Sequence, residues 1–220
     1  SKMLKRKHND FIKSIKDEDI KKIFDEKSII SGGSIVSMLL NEKVNDYDYY
    51  LADKESCQKV AEYFVGQAHP EGAGMTPNTN KKIIPTVMDD EGRIRIVIKS
   101  AGIAEYFESR PMEDGEEFVE GVTGPFQQAI SKADDIPATE LEKGKEPYRV
   151  IFMTSNAITL SNGIQIIIRF YGNPEEIHKN YDYIHCTNYW LAKDKTLYLN
   201  QPALESILSR TLYYSGSIYP

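Results

Sequence analysis

The stretch Ser28-Ile29-Ile30-Ser31-Gly32-Gly33-Ser34, running through Ile35 to Leu40 and on to Asn45-Asp46-Tyr47-Asp48-Tyr49-Tyr50-Leu51, decides the fold. Ser28-Ile29-Ile30 is a short apolar step that predicts a brief buried strand. Gly32-Gly33-Ser34 then predicts a tight turn into a helix over Ile35–Leu40, closed by Asn41-Glu42-Lys43. Val44 to Leu51, rich in tyrosine, predicts a second strand. Residues two apart on a strand share a face, so the carboxylates of Asp46 and Asp48 project together. Two like charges at that spacing repel, and a divalent cation between them makes the arrangement favourable. Glycines at 32 and 33 allow a phosphate to approach the backbone, and the helix start beyond them offers unpaired N–H groups. Each feature alone has a plainer alternative: a tight turn, and an edge strand with solvated aspartates.

Outward from this stretch the chain alternates helices and strands. Asp10 to Lys27 reads as one amphipathic helix, with Phe11, Ile12, Ile15, Ile20, Ile23 and Phe24 at helical spacing. Lys54 to Val65 is a second, with Cys57, Val60, Ala61 and Phe64 on one side. Gly66 to Asn80 is loop, Met88 to Gly92 a turn, and Arg93 to Lys99 an alternating strand. Ser109 to Pro147 is acidic and broken by prolines, either a mobile excursion or a small helical insertion. Arg149–Phe152, Ala157–Leu160 and Ile164–Tyr171 follow as strands, the last two joined by Ser161-Asn162-Gly163, a strong hairpin signal. Asn173 caps a short helix that has Pro174 at its first position. Tyr181 to Tyr189 predicts a strand and Pro202 to Leu212 a final helix. The expected class is α+β, a mixed sheet flanked by helices, in one domain with an insertion at about 67–147.

Asp182 stands among apolar and aromatic residues in the middle of its predicted strand, where an aspartate has a partner or costs stability. His185 and Cys186 follow it. As strand neighbours they face opposite ways and do not share an ion, so a packed cysteine and a hydrogen-bonded histidine are expected, with Cys186 on the face of Asp182. The tyrosines here read as sheet packing, with Tyr50 and Tyr189 also able to stack on a base.

Bulk properties narrow the classes. The chain has 220 residues, 40% hydrophobic and 27% charged, ordinary for a globular protein. Its apolar runs are too short to span a bilayer, and the basic N-terminus lacks the apolar core of a signal peptide. Cys57 and Cys186 form neither a disulfide framework nor a Cys-x-x-Cys clip, so a reducing, cytoplasmic setting is expected. The net charge of −6 is unevenly spread. Between Glu105 and Glu146 twelve acidic residues stand against Arg110, Lys132, Lys143 and Lys145, while the N-terminal segment is basic.

Taken together, the apolar step, Gly-Gly-Ser, a helix and Asp-Tyr-Asp-Tyr on a strand resemble the signature of the polymerase-β-like nucleotidyltransferase superfamily. The interval from Gly33 to Asp46 matches that pattern, and Asp182 matches its third acid. The segments around Asn156-Ala157-Ile158-Thr159, Gly172-Asn173-Pro174 and Asp182 are similar to uncharacterised members in phages and bacteria. The likeness covers roughly residues 28–65 and 148–220. It implies transfer of a nucleoside monophosphate from an NTP to a hydroxyl by two-metal-ion catalysis, with Mg2+ or Mn2+. Asp46 and Asp48 would ligate both ions, and Asp182 the catalytic ion while accepting the hydroxyl proton. Backbone N–H groups of Gly32 and Gly33, with the Ser34 hydroxyl, would hold the β- and γ-phosphates. Lys54, Arg95, Lys99 and Arg169 are the candidates for a phosphate-neutralising cation.

The acceptor is a small molecule, protein or RNA, and the acidic insertion disfavours a polynucleotide. No membrane partner is expected, and a phage-encoded chain would work in the host cytoplasm. Relatives carry further helix where this chain stops at Pro220, so a truncated or reduced member is expected. Two rivals stand beside the enzyme: a non-catalytic nucleotide- or protein-binding module on the same fold, and an unrelated α/β binding domain.

Overall fold

The computed structural model describes residues 2–68, 74–75, 82–100 and 147–216. The chain divides into two compact units, Ser1–Lys99 with Pro147–Pro220, and Ser100–Glu146. The acidic excursion read at Ser109 to Pro147 falls almost wholly outside the described residues.

The first unit is α+β, with a mixed sheet flanked by helices. Its elements run α1 (Lys2–Ser14), α2 (Glu18–Lys27), β1 (Ser28–Ser31), α3 (Gly33–Leu39), β2 (Tyr47–Leu51) and α4 (Lys54–Ala68). Then come β3 (Gly74–Met75), β4 (Lys82–Asp90), β5 (Arg93–Ser100), β6 (Val150–Met153), β7 (Ala157–Leu160) and β8 (Ile164–Tyr171). After α5 (Pro174–His178) and a 3-10 turn at Ile184–Cys186 come β9 (Tyr189–Leu191), β10 (Thr196–Tyr198) and α6 (Gln201–Ser209). Seven strands form one sheet in the order β10-β9-β1-β2-β8-β7-β6, and β3-β4-β5 form a second. In the large sheet β2 and β8 run parallel, while the other registered pairs are antiparallel.

The register sorts side chains cleanly between the two faces. Leu197, Trp190, Ile30, Tyr49, Ile166 and Ile158 lie in one row across six strands. All belong to the core or pack against it, beneath Leu4, Phe11, Phe24, Val60 and Phe64 from α1, α2 and α4. The row beside it on the opposite face is Ser31, Asp48, Gln165 and Thr159, four polar residues on four adjacent strands. A smaller cluster of Ile29, Tyr50 and Ile177 with Tyr181 and Tyr189 packs on that second face.

Three expectations are corrected. The helix read over Asp10–Lys27 is two, because Asp17 caps a new one by accepting from Asp19 N at 2.9 Å and Ile20 N at 3.1 Å. The turn read at Met88–Gly92 is mostly strand, with only Glu91 and Gly92, both at positive φ, in the bend. β4 and β5 belong to the first unit, and Ile94 and Ile96 are buried in its core. The strand read over Tyr181–Tyr189 survives only as Tyr189–Leu191. Asn180 bonds back to the carbonyls of Glu176 and Ile177, closing α5 with its side chain. The backbone of 182–184 then pairs with 213–215, through Ser215 N to Asp182 O (2.7 Å) and Ile184 N to Tyr213 O (3.0 Å), instead of joining the sheet. No helix among the described residues is long and apolar enough to cross a membrane.

Candidate functional site

The site is built where β1 ends and β2 begins. Ser31 and Asp48 are register partners, so the Gly32 turn sits directly against Asp48. Gly32 has φ 91 and ψ −151, a conformation that essentially only glycine adopts. A Cβ built there would lie 3.2 Å from Asp48 Oδ2 and 3.7 Å from the Tyr181 hydroxyl. Gly33 has open space at its missing Cβ and is exposed, and Ser34 is buried with no hydrogen-bond partner for its hydroxyl among the described residues. α3, which they open, is only seven residues long.

Asp48 is largely buried, and its pKa is raised to about 7, first by desolvation and second by the charge of Asp46. Asp46 is exposed and just precedes β2, so the pair is adjacent but only one member lies on the strand. Its segment is held by Gly163, whose carbonyl accepts from Tyr47 N at 2.9 Å. A Cβ on Gly163 would come 2.3 Å from the carbonyl oxygen of Asn45, so the β7–β8 turn can pass this closely only as glycine.

Ser31, buried, donates to the Asn188 carbonyl at 2.9 Å and has His178 Nε2 at 2.9 Å. Burial lowers the His178 pKa to about 4, so the ring is neutral at physiological pH. The Tyr181 hydroxyl is buried and, among the described residues, finds no partner of ordinary hydrogen-bond geometry. Desolvation raises the pKa of Tyr181 and of Tyr50, and that of Cys186 to about 11, with Asp48 a further cause for all three. Cys186 stands in a 3-10 turn and not on a strand, and its carbonyl lies 3.4 Å from the Ser31 hydroxyl.

Gly32, Ser34, Asp46 and Asp48 thus come together. Asp182 does not join them. It is exposed in a bend, and its neighbour Tyr181 is the residue turned towards Asp48. Among the described residues no three His, Cys, Asp or Glu side chains form a group able to hold a metal ion. On β8 the residue beside Asp48 is Gln165. A lone polar residue in an isoleucine run was its visible sign; Ser31, His178 and Tyr181 carry no motif signal.

Lys54 and Arg169, two of the proposed cations, sit elsewhere. Lys54 and Arg169 line a cavity of about 510 Å3 beyond the ends of β2 and β8, with Tyr171, Glu176 and Asn180. Arg169 is four residues along the strand from Gln165, about 13 Å. Lys54 is paired with Asp89, and Arg95 with Asp90 at 3.2 Å. The Lys99 side chain lies outside the described residues.

The family model described as Gabija anti-defense 2 family protein (Gad2) matches residues 2–210. The chain belongs to this family. In this Gabija anti-defense 2 family member the match takes in every element named above from α1 to α6. Comparison with curated proteins returns no match.

Proposed function

We propose that the chain is a nucleotidyltransferase core of polymerase-β-like fold, moving a nucleoside monophosphate from an NTP to a hydroxyl acceptor. Carrying this is the Gly32 turn, a glycine-only backbone laid against the Oδ2 of a buried aspartate. Any side chain at 32 would fill the space in front of that carboxylate.

Asp46 and Asp48 fit a divalent cation as hard oxygen ligands, and two carboxylates suffice for Mg2+, which completes its shell with water and substrate phosphates. A cation bound there would offset the charge of the triphosphate and of the departing pyrophosphate. The Ser34 hydroxyl, buried and unpartnered, is a spare donor for a phosphate oxygen. The family description names action against Gabija defence, and we take that as the setting in which transfer operates.

The test is thermal unfolding with each NTP and magnesium, comparing wild type with Asp48→Asn. A nucleotide at about 100 times its Kd stabilises by about 2.7 kcal/mol. A magnesium-dependent shift absent from the variant is expected; no shift with any nucleotide would sink the proposal. Pyrophosphate release, lost in Asp48→Asn, follows as the activity readout. Gln165 beside Asp48, where a third acid would complete the set, favours a second reading as a nucleotide-binding module without turnover. Binding with no pyrophosphate release from any acceptor would decide for it.

A further inference from the structure

We propose that the exposed face of α1 binds the phosphodiester backbone of a nucleic-acid duplex. Lys2, Lys5, Arg6, Asn9 and Lys13 fall within about 100° of arc on this helix, spaced i, i+3, i+4, i+7 and i+11. They line a groove of about 320 Å3 with Asp10, its one acidic member. The four cations, Lys2, Lys5, Arg6 and Lys13, are exposed, with the partly shielded amide of Asn9 between them, and none has an ion-pair partner among the described residues. Lys7, on the flank, is turned away onto the rings of Tyr47 and Tyr148.

The opposite face of α1 is committed. Leu4, His8 and Phe11 are fully buried, so the helix cannot roll its apolar side into a lipid surface. From Lys2 to Lys13 the cations span about 16 Å of helix, and a duplex strand carries one phosphate per about 3.4 Å. The surface is a row of point charges with Met3 as the sole large exposed apolar residue on α1. A protein interface would bring a buried aromatic anchor and few lysines at its centre. A single-strand site would bring aromatic stacking platforms. Neither is present on this face, whereas backbone contact needs only the charges. With a net charge of −6, the chain attracts a polyanion here and not generally. The inference does not depend on nucleotidyl transfer at Asp46 and Asp48.

The experiment is fluorescence anisotropy of labelled duplexes of about 20 base pairs, one DNA and one RNA, with the full chain at about 50 mM salt and upward. The comparison is with a variant carrying Lys2→Glu, Lys5→Glu, Arg6→Glu and Lys13→Glu. Wild type is expected to bind, with a log–log salt slope of about −3.6 for four phosphate contacts, or about a 100-fold loss of affinity between 50 and 200 mM. The variant should lose at least that much while its melting temperature holds, because the side chains it replaces are in solvent. Preference between the DNA and RNA duplexes names the backbone. Absence of duplex binding at the lowest salt, or binding unmoved in the variant, overturns the proposal. Displacement of the duplex by polyglutamate at equal charge would also overturn it, in favour of an acidic protein.

Discussion

At the scale of single residues, Asp48 and Gly32 define each other. The turn brings a backbone without a side chain up to a carboxylate that is half-withdrawn from water and has a second acid beside it. Both causes favour the protonated form, so folding raises the pKa from 3.8 to about 7. Between those values the native state holds a proton that the unfolded state has released, so Asp48 subtracts from stability as pH rises through that window. Asp48→Asn should therefore be more stable than wild type at about pH 8, by on the order of a few kcal/mol, with the difference closing below about pH 4. Urea unfolding across that range checks it, and parallel pH profiles for the two proteins would refute it. A carboxylate held at such a cost is a common mark of a functional site.

At the scale of elements, the acid pair depends on a turn remote in sequence. Gly163, at φ 65 between β7 and β8, touches the backbone of Asn45 just before Asp46. Gly163→Ala combines a left-handed backbone with a Cβ 2.3 Å from a carbonyl oxygen, so the turn or the 45–46 segment must move. A loss of more than about 1 kcal/mol in urea unfolding is expected, together with weaker magnesium-dependent nucleotide shifts. An unchanged midpoint would mean that the turn is not what holds Asp46. The capping box of α5 works similarly for the second face. Asn173 accepts from Glu176 N at 2.9 Å, and Glu176 Oε2 accepts from Asn173 N at 2.8 Å. That short helix delivers Ile177, His178 and then Tyr181 to the sheet.

At the scale of the whole unit, α1 is locked to the sheet through a buried polar contact. His8 Nδ1 meets the Tyr49 hydroxyl at 3.2 Å, Nε2 meets Asp25 at 3.4 Å, and Lys195 also pairs with Asp25. Burial, with Lys195 nearby, lowers the His8 pKa to about 4, as burial does for His178. Two histidines thus bind protons on unfolding between about pH 6.5 and 4, where Asp48 acts in the opposite sense. Two outweigh one, so wild type should lose stability as pH falls across that range. His8→Asn should flatten the loss, measured by urea unfolding at about pH 4.5 and 7. A chain whose stability rises steadily on acidification would contradict it.

Elements that depend on neighbours in sequence were legible in advance. The β7–β8 hairpin, the Asn173 cap with Pro174, and the apolar side of α4 follow from local backbone preference and periodicity, and they stand where expected. The Gly32 turn with Asp48 was legible too, since a glycine pair before a helix and an acid on a strand are short-range patterns. Asp182 was not. Its surroundings have the composition of a strand, but the backbone groups of 182–184 found partners at 213–215, and no local pattern announces a pairing that distant. Gln165 beside Asp48 is likewise a product of strand order and register, and the Tyr181 hydroxyl reaches Gly32 from the end of α5. Sequence by itself therefore determined the class of elements and one acid-bearing turn, because those energies are local. Which side chains surround that turn was left to tertiary structure, because strand neighbours are chosen by burial of the whole sheet.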